Sequence, residues 1–196
     1  MTGGPGKLDL GAGAGIVPVA IIRKFYPPDS KAFDVLLRHG EQVAEKSLRI
    51  ARNIDGLSPD ISFIEEAAIL HDIGMIRTRT PSLGCSGESP YICHGVFGRE
   101  MLDGLGLPRH GLVCERHVGT GLTAADIAAQ GLPLPPRDMR PVSIEEKIIA
   151  YADKFFSKKS GQGGEKPFAD VVREIERYGR RQVETFLAWA EMFGDR

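Results

Sequence analysis

Cysteine is scarce in this chain: three residues, Cys85, Cys93 and Cys114, in 196. Odd in number and irregular in spacing, they exclude a disulfide framework and fit reduced thiols in a cytoplasmic protein. No apolar run approaches the ~18 residues a membrane helix needs, so no membrane partner is expected. An excess of charge of one sign is also missing, since 25 Lys and Arg stand against 26 Asp and Glu. Binders of polymeric nucleic acid carry a basic excess or stripe, and neither is present here. Residues 1–15 are Gly-rich and lack a basic stretch followed by an apolar run. They read as a flexible tail and not as a secretory signal. No alternating strand pattern of useful length occurs, which points to an all-α fold.

What is present is helical periodicity. Residues 16–26 form a short apolar-basic stretch stopped by Pro27-Pro28. Asp29-Ser30 then supplies a helix start, and Val35, Leu36, His39, Val43, Leu48 and Ile50 fall on one face of a helix over 31–53. Ser58-Pro59-Asp60 opens a second helix reaching about Asp72. Residues 76–90 read as a Thr-, Ser-, Gly- and Pro-rich loop able to cover a pocket. Helices are expected at about 91–105, 108–118, 123–129 and 144–157, and one long helix at 167–193. The length suits one domain, read as a helical bundle over 16–158 with a helical extension over 159–196.

The chemistry-bearing residues are few. Of the five histidines, His39 lies mid-helix and His71 precedes Asp72 at a helix end. His94 and His117 lie in or near helices, while His110, between Pro108-Arg109 and Gly111, reads as a surface turn residue. Asp153 shares a face with Ile149, Ala150 and Phe156. A carboxylate there is buried, and a buried unpaired charge is costly, so it calls for a cation. The apolar run Ala67-Ala68-Ile69-Leu70 leads straight into His71-Asp72 with the same consequence. Imidazole nitrogen and carboxylate oxygen together suit a divalent transition metal.

The order His39, His71-Asp72, Asp153, with Ile73-Gly74 following, resembles the HD superfamily and its His-Asp-Ile-Gly subgroup. The resemblance covers about 31–158. It implies an all-α, single-domain helical bundle and a metal-dependent phosphohydrolase acting on phosphate esters or anhydrides, often of nucleotides. It implies one or two ions of Fe, Mn, Co, Ni or Zn, or Mg, held by His39, His71, Asp72, Asp153, His94 and His117. Asp72 would bridge the two ions in the dinuclear case. Asp72, His94 and His117 are then the expected catalytic residues, the histidines serving a second metal or the substrate phosphate. His117-Val118-Gly119-Thr120-Gly121 and the stretch 146–154 are similar to the symmetrical diadenosine tetraphosphatase branch. Thr120, Lys154, Arg77 and Arg79 are the expected phosphate contacts, the last three on position alone. The expected partner is a small phosphorylated substrate, and the C-terminal helix offers core or a homodimer face. Two other functions share the ligand order: an HD-fold diiron oxygenase and a non-catalytic HD sensor module.

Overall fold

The computed structural model describes residues 15–158 and 164–195. The expectation of a Gly-rich tail therefore falls almost wholly outside the described residues. Among those, the chain forms nine α-helices and one two-stranded antiparallel ribbon, an all-α fold.

Local signals set the helix starts. After α1 (Pro18–Ile22), Ser30 Oγ accepts the Phe33 N–H at 3.2 Å and opens α2 (Lys31–Asn53). Asp60 does the same for Phe63 at 3.1 Å and opens α3 (Ile61–Leu70). Past α4 (His94–Gly104) and α5 (Pro108–Arg116), a reciprocal capping box between Thr123 and Asp126 starts α6 (Ala124–Ala129). Ser143 caps α7 (Ile144–Asp153), whose first turn carries Glu145 and Glu146 toward the positive end of the helix dipole.

Two cores fill the molecule. Val43, Ile50, Ile64, Ala68, Ile149 and Phe186 belong to one, and Ile22, Leu36, Leu70, Met75 and Leu102 to the other. On α2, His39 and Gly40 fall between Leu36, which feeds one core, and Val43, which feeds the other. Two glycines bring the elements around this seam into close contact. A Cβ on Gly40 would stand 2.8 Å from the Ile69 carbonyl oxygen, so α2 and α3 cross there at backbone distance. A Cβ on Gly74 would stand 2.1 Å from the His94 carbonyl oxygen and 2.3 Å from the Gly98 nitrogen. The 3-10 turn after Asp72 (Ile73–Arg77) thus lies directly on α4.

Several expectations are corrected. The C-terminal segment is two helices, α8 (Phe168–Glu176) and α9 (Arg180–Phe193), parted at Gly179 with φ +102°, a backbone state that only glycine adopts readily. The stretch 76–90 is not a plain loop: Arg79–Thr80 (β1) pairs with Cys85–Ser86 (β2) in a tight hairpin. His110 lies within α5, is 8% exposed and donates from Nε2 to Glu66 Oε2 at 3.1 Å. It packs edge-on against Phe63, so it is a core histidine and not a surface turn. No helix among the described residues is long and apolar enough to cross a membrane.

Candidate metal centre

His39, His71, Asp72, His94, His117 and Asp153 converge at the seam. They come from α2, the end of α3 and the turn after it, the start of α4, the end of α5 and the last turn of α7. All six are buried. They divide into two sets that share Asp72: His39, His71, Asp72 and Asp153, and Asp72, His94 and His117. Within each set, one ligand atom per residue lies within 4.8 Å of every other.

Asp72 organises the division. Its Oδ2 faces His71 Nε2 at 3.0 Å and His39 Nε2 at 3.3 Å. Its Oδ1 faces His94 Nε2 at 3.1 Å and His117 Nε2 at 3.4 Å. Each carboxylate oxygen therefore confronts one pair of imidazoles. Asp153 Oδ1 closes the first set, 2.9 Å from His39 Nε2 and 3.4 Å from His71 Nε2.

Backbone carbonyls orient three of the rings. His71 Nδ1 meets the Ala68 oxygen at 2.6 Å, His94 Nδ1 the Tyr91 oxygen at 2.7 Å, and His117 Nδ1 the Cys114 oxygen at 2.7 Å. Each carbonyl lies three residues before its histidine: those of Ala68 and Cys114 in the last turns of α3 and α5, where such oxygens lack intrahelical partners, and that of Tyr91 in the 3-10 turn (Tyr91–Cys93) leading into α4. A carbonyl can only accept, so Nδ1 carries the proton and Nε2 is left as a lone pair aimed inward.

That arrangement tests whether a metal fits. His94 Nε2 and His117 Nε2 stand 3.0 Å apart. With both protons on Nδ1, two lone pairs face each other, and a cation relieves the repulsion. His71 Nε2 and both oxygens of Asp72 are buried without a hydrogen-bond partner, although they lie close to one another. Burial opposes ionisation of Asp72, yet His71 and Lys158 hold its carboxyl well below the usual range. Burial also opposes charge on His71, but the Asp72 and Asp153 carboxylates push it up to about 9. Burial takes His117 down to about 4, which keeps that imidazole neutral. Two anions, neutral imidazole and orphaned acceptors form a cluster able to bind metal ions.

A cavity of about 440 Å³ opens beside the cluster. Its lining includes His94 and Asp153, the lysines Lys154 and Lys158, and residues of α8 and α9. Lys154 Nζ donates to Asp153 Oδ2 at 2.6 Å and to the His117 carbonyl at 3.1 Å. Lys158 Nζ lies 2.7 Å from Asp72 Oδ2.

The other expected phosphate contacts fare differently. Arg77 and Arg79 are exposed and do not line the cavity. Arg77 pairs with Glu100 at 3.1 Å and lies over the Phe97 ring. Thr120 is buried with both donors committed: its N–H and hydroxyl donate to Gln182 Oε1 at 2.6 and 2.7 Å. The side chain of Thr120 is thus part of the packing of α9. No residue of 76–90 lines the cavity, so that segment is not its cover.

Three residues escaped the sequence reading. Lys158 follows α7 in irregular chain, and its signal is only a lysine one turn and a half past Asp153. Tyr91 stacks on His94 with ring centroids 4.5 Å apart, and its position one turn before that histidine was a usable clue. Gln182 lies 62 residues from Thr120, with no local signal at all.

Comparison with known proteins agrees with the geometry. The family model described as HD domain matches residues 36–157, more than half of the chain. An uncharacterized protein of Methanocaldococcus jannaschii is 33% identical over 146 residues, covering 72% of this chain and 76% of that protein. Two tRNA (cytidine(56)-2'-O)-methyltransferases also match, from Picrophilus torridus at 36% identity and Thermoplasma volcanium at 34%, each over 127 residues. These cover 64% of this chain, which in turn spans only 33% of either enzyme. What those enzymes methylate is a property of proteins of which this chain matches a third. No solved structure matches. None of these relatives carries the name of a symmetrical diadenosine tetraphosphatase, so that finer resemblance is not supported. The HD fold and its buried His/Asp cluster suit a metal-dependent hydrolase, and the chain belongs to the HD domain family.

Proposed function

We propose that this protein is a phosphohydrolase that uses one or two divalent metal ions to cleave a small phosphorylated metabolite, such as a nucleotide. The observation that carries the reading is Asp72, whose two oxygens face two separate histidine pairs next to a cavity whose lining includes Lys154 and Lys158. His39, His71, Asp72 and Asp153 would hold one ion, and Asp72, His94 and His117 the second. A bound divalent ion supplies Lewis acidity at phosphorus and water of lowered pKa.

The chain's own residues supply the rest. The carbonyls behind His71, His94 and His117 anchor each Nδ1 and so aim each Nε2 into the cluster. Asp72, held ionised, would hold the ions and orient a water in the site. The Lys154 and Lys158 ammonium groups reach phosphate oxygens from the cavity side and offset their charge. Lys158 exchanges the Asp72 oxygen for the phosphate as it does so.

The test is phosphate release from nucleoside mono- and triphosphates, dinucleoside polyphosphates and a generic phosphodiester, with Mn, Co, Ni, Zn, Fe and Mg supplied in turn. Release is expected with at least one metal and should vanish in His71→Ala and Asp72→Ala. A blank with every metal, from folded protein shown to hold metal, overturns the reading. Oxygen uptake by the iron-loaded protein would then favour the oxygenase.

A further inference from the structure

The segment between α1 and α2 reaches the turn that follows the His71-Asp72 pair. Tyr26 lies on it, before residue 36, where the span matched by the family model begins. The segment is held close to α1: the N–H groups of Phe25 and Tyr26 both donate to the Ile22 carbonyl, at 3.0 and 2.9 Å. Pro27 and Pro28 follow, each with a φ fixed by its ring. Tyr26 is thereby delivered into the core that contains Ile73 and Met75, and it is 1% exposed.

Its hydroxyl makes two hydrogen bonds there. It donates to the Ile73 carbonyl at 2.8 Å and accepts the Ile76 N–H at 3.0 Å. Ile73 and Ile76 are three residues apart, the spacing that one turn of 3-10 helix closes. A phenol is both donor and acceptor, so one group holds both ends of that turn. Burial pushes the phenol well above its ordinary value, so it keeps the proton it donates. Gly74 of the same turn rests against α4, where a Cβ would stand 2.1 Å from the His94 carbonyl oxygen. The turn is thus gripped twice, by α4 at Gly74 and by Tyr26 at Ile73 and Ile76.

Asp72 stands at the head of this turn, and its carbonyl accepts the Met75 N–H at 2.9 Å. The rings of His71, His94 and His117 each have a carbonyl behind them. The Asp72 carboxylate instead faces four imidazoles and Lys158. Those are all side chains, so the place of the carboxylate follows from the backbone that carries it. A shift of the turn moves both oxygens at once, away from both histidine pairs.

From this we infer that Tyr26 is a positioning residue for Asp72, which it holds in register with both metal-binding sets through the Ile73–Ile76 turn. It acts through the turn and not as a ligand. The inference rests on the metal-binding part of the proposed function and is independent of the substrate.

The test is calorimetric titration of the full chain, stripped with EDTA, with Mn²⁺, Co²⁺ and Zn²⁺ in turn, together with hydrogen exchange at Ile76. Tyr26→Phe keeps the buried ring and removes only the hydroxyl. Ile50→Val is the control, a loss of packing in the other core. Tyr26→Phe should weaken metal binding about tenfold or more. It should also speed exchange of the Ile76 amide, which the hydroxyl no longer holds. Ile50→Val should lower the urea midpoint yet bind metal as the wild type does. Binding by Tyr26→Phe equal to that of the wild type, or weakened no more than in Ile50→Val, overturns the inference. So does weakened binding with Ile76 exchange unchanged, because the effect would not then pass through the turn. In both cases the metal bound by the wild type leaves the metal-dependent reading standing. A wild type that binds none of the three metals overturns the two together.

Discussion

His94 and His117 meet Nε2 to Nε2 at 3.0 Å, each with its Nδ1 anchored on a carbonyl. Two lone pairs at that distance repel, and the Asp72 oxygen facing both adds a further acceptor. The metal-free protein should therefore be markedly less stable than the loaded one. At a hundredfold excess of metal over Kd, binding stabilises by about 2.7 kcal/mol. For a chain of this size that is a rise of ~5–10 °C in Tm. Thermal unfolding with EDTA and with added Mn, Co or Zn checks it. A Tm indifferent to chelator would remove the physical basis of the site.

The shared position of Asp72 predicts an unequal response of metal content to substitution. His94→Ala touches only the set of Asp72, His94 and His117. It should lower the content from two ions per chain to one. Asp72→Ala touches both sets and should bring the content below one, with turnover reduced ~100-fold or more. Metal analysis of the purified variants, with circular dichroism as a check on helix content, reads both. Equal metal content in the two variants would show that Asp72 does not bridge.

Much of this site was legible because its ligands sit in strong local contexts. The 31–53 helix matches α2 from end to end, since Ser30 caps it and its apolar stripe is unbroken. The turn after His71-Asp72 carries Gly74, whose lack of a side chain allows α4 to approach, so the motif's glycine has a packing reason. Other features depend on contacts between distant parts of the chain. Lys158 looks like one of two solvated lysines until the fold carries it to Asp72. Arg77 and Arg79 lie close in sequence to Asp72 but point to solvent, because the tight turn at Ile73–Arg77 carries the chain away. The break at Gly179 was hidden by apolar periodicity that continues from α8 into α9.

Gln182 is a positioning residue for the chain that follows His117. Its Oε1 accepts two hydrogen bonds from Thr120, and its Nε2 donates to the Gly121 carbonyl at 3.0 Å. Gln182→Ala strands a buried N–H and a buried hydroxyl, at about 1–3 kcal/mol. Hydrogen exchange at 119–121 should accelerate while α2 and α3 stay protected. A double-mutant cycle with Thr120→Val should show coupling of about 0.5–3 kcal/mol. Strict additivity would deny the link.

Gly74→Ala places a methyl group against two backbone atoms, the His94 oxygen and the Gly98 nitrogen, neither able to turn aside. Either the turn after Asp72 or the start of α4 must move. Both carry proposed ligands, so the same displacement disturbs Asp72 and His94. Overpacking of this kind costs ~3 kcal/mol or more where backbone must shift. Urea unfolding should show the loss, and metal content should fall with it. Gly104→Ala is the control, since a Cβ there meets nothing within 4 Å. An equal effect at both positions would mean that helix propensity and not close packing governs Gly74.

His110 predicts a pH dependence away from the metal cluster. Burial and Arg109 press its pKa below the ordinary value, against the pull of Glu66 and Asp60, with burial the largest influence. Phe63 covers it edge-on. A group whose pKa is depressed on folding binds its proton more readily in the unfolded chain. Stability is then fully present above the unfolded value, near pH 6.5, and declines as pH falls from there through the folded value. His110→Gln retains a donor for Glu66 and has no titration. Its stability should therefore decline less than that of the wild type between about pH 6.5 and pH 5, where most carboxylates remain ionised. Denaturant unfolding at matched pH, with metal held constant, isolates His110 in the difference between the two curves. Curves that stay parallel over that interval would mean His110 binds its proton equally in the folded and unfolded chains.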